Sequence, residues 1–539
     1  MTAANEDPAF HLPKLRSSFG FENDTRFLNN GDDVPEFFDV KFCPYQPLDC
    51  DPVFAAVSKK HASSKHGQAG LSTRTDHIQV VVCKLSSDNG DSNPCSILSV
   101  IRDDDEDASG CCCTWTRDPT TGAPYICIGG GDAKVKIYDV RTCTLVNCFA
   151  GHGGDVNDLA TSPIDSSVIA SASNDTSIRI WSLEEKFKAQ PCLCILAGEG
   201  HSWNLLSLAF HATGRYLVSG GHDQVINLWT MPDLPTEPVV TPLQVHYPHF
   251  STSAVHSGIV DCVAFCGDCI LSRACHDNVI VLWRIEGFSS EGPPPPQSDA
   301  PTAQAVVPTS LDDQSRLTRS YFVPATTPEC PSQYTRLLEF HTPNCGPQFF
   351  MRFGLHHVPG QNPVLAFCNA GGNILFWDLH RLSVYHDVML ALHDPGRDRT
   401  QPRAPLPTWL KAIIPRQRAD MFGRIKGVKE KRAVTAPNGA RQSSVSSSRG
   451  GGGGGGGAPA SVSSAGGAEE TTPEFSAETL ESWASKYSME DPHEPVKAHR
   501  TESSAATFVG RQAAWSPGGE WCVVVGSSNT TLILQRWAN

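Results

Sequence analysis

A chain of 539 residues is long enough for three or four ordinary domains, or for one closed ring of many small sheets with segments to spare. Its formal net charge of −14 argues against a protein that grips nucleic acid over its whole surface, and suits a basic partner. No apolar leader follows Met1–Glu6, no run approaches the ~18–20 apolar residues that span a bilayer, and the 20 cysteines are scattered or adjacent; together these suggest a soluble protein with free thiols in a reducing compartment, and no membrane role.

Residues 1–36 carry no repeat mark and are read as an N-terminal arm. From 37 to 379 one short pattern recurs: apolar, any, apolar, aromatic, any, apolar. Clear copies begin at Val135, Ile178, Ile226, Ile280 and Ile374, and weaker ones run from Val80 to Leu85 and from Leu532 to Trp537. The first spacings, 43, 48 and 54 residues, lie near the roughly 40–45 of a WD40 unit. Gly151-His152 and Gly200-His201 stand near the start of their units, with His256 in the equivalent place. Asp175, Asp223 and Asp277 each precede a signature Trp by six residues. Such an Asp can accept a hydrogen bond from the His of its own unit above the packed Trp, which is a structural role. Short β-branched segments such as Val168–Ser173 and Tyr216–Gly221 lie between the marks and end at polar turns. The expected fold is therefore all-β, a seven-bladed WD40 β-propeller. Its last blade lacks an outer strand at the C-terminal end, and the arm is expected to supply it.

Two long intervals break the rhythm. Residues 287–316, with Pro293–Pro296, read as a disordered inter-strand loop. Residues 380–488, with the glycine run 450–457, read as a largely disordered insertion before a last blade at 489–539. Inside that insertion, 409–432 is the one basic stretch. A solvated loop, a nucleosome or DNA contact, and a short docking helix all remain open for it.

No catalytic motif is present: no H-E-x-x-H, no G-x-S-x-G and no Walker loop. Cys266-Gly267-Asp268-Cys269 reads as a hairpin turn and not as half of a zinc site, so neither a metal nor a cofactor is expected. The chain reads as a binding scaffold and not an enzyme.

More specific segments are Asp51–Val57, Cys113–Thr116, Gly151–Asp158, Val260–Val263, Phe350–Phe353, Asp491–His493 and Gly510–Gln512. Together they resemble the embryonic ectoderm development / extra sex combs family across most of the propeller. The resemblance implies a nuclear, non-catalytic subunit of Polycomb repressive complex 2. Its partners would be an Enhancer-of-zeste-type SET-domain methyltransferase, a VEFS-box zinc-finger subunit and a trimethylated histone H3 tail. It also implies an aromatic cage for trimethyl-lysine at Phe54, Phe349 and Phe350, with Cys111 where the family has Tyr, and peptide contacts at Asn157 and Arg511. A quaternary ammonium suits such a cage because it is drawn to ring faces and has no proton to donate. The alternative is a generic WD40 adaptor in ubiquitin ligation or trafficking.

Overall fold

The computed structural model describes residues 12–20, 36–59, 78–87, 93–103, 110–302, 318–328, 330, 332–358, 360–394, 396, 405–412, 475–489, 495–498, 500–503 and 508–536. They form seven antiparallel sheets, the blades of a propeller. Blade 1 contains Glu36–Phe42, Val53–Lys59, Ile78–Leu85 and Cys95–Arg102, and blade 2 contains Gly110–Arg117, Pro124–Gly130, Lys134–Asp139 and Thr144–Ala150. Blade 3 contains Val156–Thr161, Val168–Ser173, Ile178–Ser182 and Cys192–Leu196, with Leu243–Val245 added in parallel. Blade 4 contains Leu205–Phe210, Tyr216–Gly221, Ile226–Thr230 and Phe250–Thr252, with Thr318–Ser320 outside it. Blade 5 contains Val260–Cys266, Cys269–Ala274, Val279–Ile285 and Tyr334–His341.

The last two blades draw strands from far along the chain. Blade 6 pairs Gly354–His356, Val364–Cys368 and Asn373–Asp378 with Arg500–Ser503, more than a hundred residues on. The boundary expected at 379 is thus corrected: blade 6 is not complete there, and residues after 489 serve two blades. Blade 7 contains Gly510–Trp515, Trp521–Gly526 and Thr530–Gln535, and Lys14–Gly20 pairs antiparallel with the last of these. That pairing covers what would otherwise be an open edge.

The core lies between blades. Phe37, Val40, Phe42 and Phe54 of blade 1 pack with Trp521, Val523 and Ile533 of blade 7, and similar clusters join blades 2 to 3, 3 to 4 and 4 to 5. Period-two alternation places one face of each strand in each joint.

Both insertions differ from expectation where they are described. The proline-rich part of 287–316 is fastened to blade 4 by hydrogen bonds that run in both directions. Arg215 donates to Gly292 O and Ser290 O, His249 Nε2 lies 3.1 Å from Pro296 O, and Gln297 donates to Thr230 O. Residues 303–317 lie outside the described set. The 380–488 segment begins with a helix, Leu379–His393, capped by the Asp378 carboxylate, which accepts from the backbone N–H groups of His380 and Arg381. A second helix, Ala477–Tyr487, closes it. Trp409, the first residue of the expected basic stretch, packs between Arg381 and Tyr487, so it is a packing residue. Residues 413–432 and Asp491–His493 lie outside the described residues. Leu410–Ser482 forms a separate small unit. Among the described residues no helix is long and apolar enough to cross a membrane, and no cluster of His, Cys, Asp or Glu could hold a metal.

Candidate functional site

Three blades use their polar marks internally. In blade 3, His152 Nδ1 lies 2.8 Å from Asp175, His152 Nε2 lies 2.7 Å from Ser171 Oγ, and Trp181 Nε1 donates to the same hydroxyl at 2.8 Å. A carboxylate only accepts, so Nδ1 carries the proton and Nε2 accepts from Ser171. Burial lowers the His152 pKa and keeps the ring neutral. Burial opposes charge on Asp175, but His152, Ser177 and the Gly153 N–H outweigh it and hold the carboxyl well below its ordinary range. Blades 4 and 5 repeat the set with His201, Asp223, Ser219 and Trp229, and with His256, Asp277, Ser272 and Trp283. Every group in these sets has a partner, and each serine hydroxyl is wholly buried and already holds the Trp indole N–H, so none is open to a substrate.

The innermost strands share a second device. In six of the seven blades, blade 6 being the exception, this strand carries a β-bulge near its start, between Phe37 and Asp39, Gly110 and Cys112, Val156 and Asp158, Leu205 and Ser207, Val260 and Cys262, and Gly510 and Gln512. A bulge releases one residue from the ladder and re-aims it. The released residues are Phe38, Cys111, Asn157, Leu206, Asp261 and Arg511. Below them runs a buried charge network. Arg352 reaches Asp158 at 3.3 Å and donates to Asn157 O and Leu206 O, Lys41 donates to Leu159 O near Asp39 and Asp158, and Arg273 pairs with Asp261. Burial works against the Lys41 ammonium, yet Asp39 and Asp158 hold its pKa above the ordinary lysine value.

An aromatic group stands where blades 1, 6 and 7 meet. Phe350 has φ +55°, a left-handed conformation rare for a bulky residue. That turn brings adjacent rings together: the Phe349 and Phe350 centroids are 5.2 Å apart, although neighbours on a strand point to opposite faces. Phe38 meets Phe350 edge-on at 5.8 Å. Arg511 lies 5.0 Å from the Phe38 ring centre, donates to Phe349 O at 3.0 Å, and forks onto Glu36 through Nε and Nη2 at 3.0 and 2.9 Å. Arg352 lies 5.6 Å from the Phe350 ring. Both guanidiniums are neutralised, by Glu36 and Asp158, so they do not leave the rings under a net positive charge.

Phe349 and Phe350 thus stand together, but the other residues expected in the site do not join them. Phe54 is wholly buried on the second strand of blade 1, its ring 5.5 Å from Phe42 in the joint with blade 7, and it offers no face to a ligand. The aromatic beside Phe350 is Phe38. Cys111 is 2% exposed and donates its thiol to Val156 O at 2.9 Å, so it supplies no wall. Asn157 is buried, its amide nitrogen donating to Asn174 Oδ1 and Leu205 O, which makes it a brace between blades and not an open contact. Arg511 is where it was expected but holds the rings. Phe38 could have been found from sequence: Cys111, Asn157 and Arg511 are the released residues of their blades, and Phe38 is the equivalent in blade 1.

A family profile described as WD domain, G-beta repeat matches residues 143–182 and 191–230, each match running from the outer strand of one blade through the three inner strands of the next. Polycomb protein EED of Chaetomium thermophilum is 43% identical over 99% of this chain and 97% of its own length. This chain belongs to the Polycomb EED family. Polycomb protein esc of Drosophila melanogaster, in the same family by name, is 31% identical over 35% of this chain and 47% of its own. A chain in a structure of the Chaetomium thermophilum Polycomb repressive complex 2, described as in complex with H3K27me3 and H3K27M, superimposes with a TM-score of 0.77 at 42% identity, covering 98% of each chain. At the meeting of blades 1, 6 and 7 stand three rings, Phe38, Phe349 and Phe350, and the Cys111 thiol, where the resemblance implied an aromatic, bonds to Val156 O.

Proposed function

We propose that this EED-family chain reads trimethyl-lysine with Phe38, Phe349 and Phe350 as the non-catalytic scaffold subunit of a Polycomb repressive complex 2. The observation that carries the reading is the trio itself, gathered by a left-handed residue at Phe350 and a bulge at Phe38. Backbone held in a sparsely populated region costs on the order of 1–3 kcal/mol and persists where function requires it. Phe349 is exposed, Phe350 half-buried and Phe38 only 6% exposed, and what the group offers is ring surface. That suits a trimethylammonium, whose positive charge is spread over methyl groups and which has no N–H to satisfy. Lysine without methyl groups is more strongly hydrated and would lose hydrogen bonds in such a place.

Catalysis belongs to a partner. The EED-family chain has its polar sets satisfied within blades, and the methyl-transfer chemistry of the complex resides in a separate SET-domain subunit. A VEFS-box zinc-finger subunit and a contact with nucleosomal DNA through the basic segment 409–432 are further proposed partners, as is residence in the nucleus, where histone tails are found. The generic-adaptor reading is not favoured, because the family match runs the length of the chain.

The test is a titration of the full chain with histone H3 tail peptides, trimethylated and unmodified. Preference for the trimethylated peptide, abolished in Phe350→Ala and retained in Cys111→Ala, is the expected result. Equal binding of both peptides by the unaltered chain would remove the reader role.

A further inference from the structure

The aromatic group does not stop at Phe349. His222 lies edge-on to Phe349 at 5.9 Å, and Trp203 lies 6.2 Å from His222. Trp203 is 61% exposed and Phe349 40%, among the most exposed aromatic side chains of the described residues. A large indole left in water gains nothing from burial, and an exposed aromatic cluster of this kind marks a contact surface.

The loop that carries Trp203 is fixed on both sides of it. Ser202 N–H donates to the Asp223 carboxylate at 2.9 Å, and His222 N–H donates to Asn204 O at 2.9 Å. Asn157 donates to Leu205 O at 2.6 Å, which anchors the next residue to blade 3. The indole is therefore held out on a rigid turn, and ordering it on binding costs little. Burial lowers the His222 pKa and Asp223 offsets this only in part, so the ring between Phe349 and Trp203 is uncharged at neutral pH. Asp223 in the same turn is anionic: burial opposes its charge, but His201 and the backbone N–H groups of Ser202 and Val225 prevail.

We infer that Trp203 and His222 form a second subsite that continues the Phe349 end of the trimethyl-lysine site and takes the side chain of an arginine flanking the methylated lysine. This rests on the reader role proposed above. An indole is the best aromatic partner for a guanidinium, which stacks flat on it while keeping its own hydrogen bonds. The acidic balance of the chain favours the same cation. Reach agrees as well: an extended peptide rises about 3.3 Å per residue, so the two ring-to-ring steps from Phe349 to Trp203 span no more than about four residues. With Cys111 turned into the core, the site is an open row and not a closed cage, and flanking contacts supply affinity that a fourth wall would otherwise give.

The experiment uses the full chain and two H3 tail peptides trimethylated at lysine 27, one native and one with each arginine within four positions of that lysine replaced by alanine. Trp203→Ala is expected to weaken the native peptide by roughly threefold to tenfold, with the preference for trimethylated over unmodified peptide unchanged. Trp203→Phe is expected to recover most of the loss. The alanine-substituted peptide should bind the unaltered chain and Trp203→Ala equally. Native-peptide affinity unchanged in Trp203→Ala overturns the subsite alone, as does an equal loss on both peptides. If the unaltered chain does not prefer the trimethylated peptide, the reader role fails first and takes the subsite with it.

Discussion

Blades 3, 4 and 5 and the meeting of blades 1, 6 and 7 are built from the same strands and bulges, yet they spend their side chains differently. In the first region His, Asp, Ser and Trp satisfy one another: His152, Asp175, Ser171 and Trp181 leave no group open. In the second, paired guanidiniums lie against the aromatic rings and brace them. Arg511 ties Phe349 O and Glu36 together over the Phe38 ring, and Arg352 backs Phe350 while bound to Asp158. Polar closure makes a frame; aromatic openness on that frame makes a site. Substitutions in the first region should therefore alter stability, and those in the second should alter recognition.

The largest expected effect is on the frame. Trp181→Ala removes a fully buried ring and leaves Ser171 short of a donor, and should cost ~3–5 kcal/mol of unfolding free energy. Phe54→Ala should fall in the same range of about 3–5 kcal/mol, because Phe54 fills the joint of blades 1 and 7. Urea denaturation checks both. Peptide titration of the Phe54 variant under folding conditions sharpens the contrast, since trimethyl preference should survive.

Acid should weaken the same region next. The folded-state pKa of His152 lies below its ordinary value, so the unfolded chain binds more protons as pH falls below about 6.5. That contribution is fully present above pH 6.5 and is lost on the way down. Asp175, Asp223 and Asp277 are also depressed, and each contributes stability above its ordinary carboxylate pKa that disappears at lower pH. Thermal midpoints measured from pH 7.5 to 4 should fall, with a first decline near pH 6. A flat profile between pH 7 and 5 would contradict the neutral assignment of His152.

Recognition should respond at the aromatic end. Phe350→Ala should lower affinity for trimethylated peptide by at least about tenfold, roughly 1.4 kcal/mol. Its effect on the thermal midpoint should be slight, because the substitution removes a strained, half-buried residue and not a core ring. A large stability loss without a change in trimethyl preference would place Phe350 in the frame instead.

What the sequence discloses follows the same division. The His, Asp and Trp of blades 3 to 5 were legible because they recur at fixed spacing and bond within one blade. The outer strand of blade 6 was not, since Arg500–Ser503 pairs with Asn373–Asp378 across a segment with no repeat mark. The helix at Leu379–His393 was hidden because Asp378 ends a signature strand and caps the helix at once. Phe349 and Phe350 stand together as expected of them, whereas Phe54 lies in the core and the ring beside Phe350 is Phe38. Phe54 and Phe38 are both buried phenylalanines of blade 1, and it is the bulge between Phe37 and Asp39 that brings Phe38 to Phe350. Trp203 drew no notice in the sequence, its exposure being a property of the folded turn.

The smallest effect tests how the two regions connect. Arg511 was expected as a peptide contact, and the structure makes it a brace for Phe38 and Phe349. A brace acts through Glu36; a direct contact does not need it. Arg511→Gln and Glu36→Gln should each reduce trimethyl-peptide affinity by a few fold, about 1 kcal/mol, by freeing the rings from their fixed spacing. The double variant should lose no more than either single one, because both remove the same fork. Arg511→Lys should not rescue, since an ammonium cannot bridge Glu36 and Phe349 O with the geometry of a guanidinium. If instead Arg511→Gln weakens binding while Glu36→Gln leaves it unchanged, Arg511 meets the peptide itself. The Arg511–Glu36 pair beside Phe38 would then serve the bound state and not the frame.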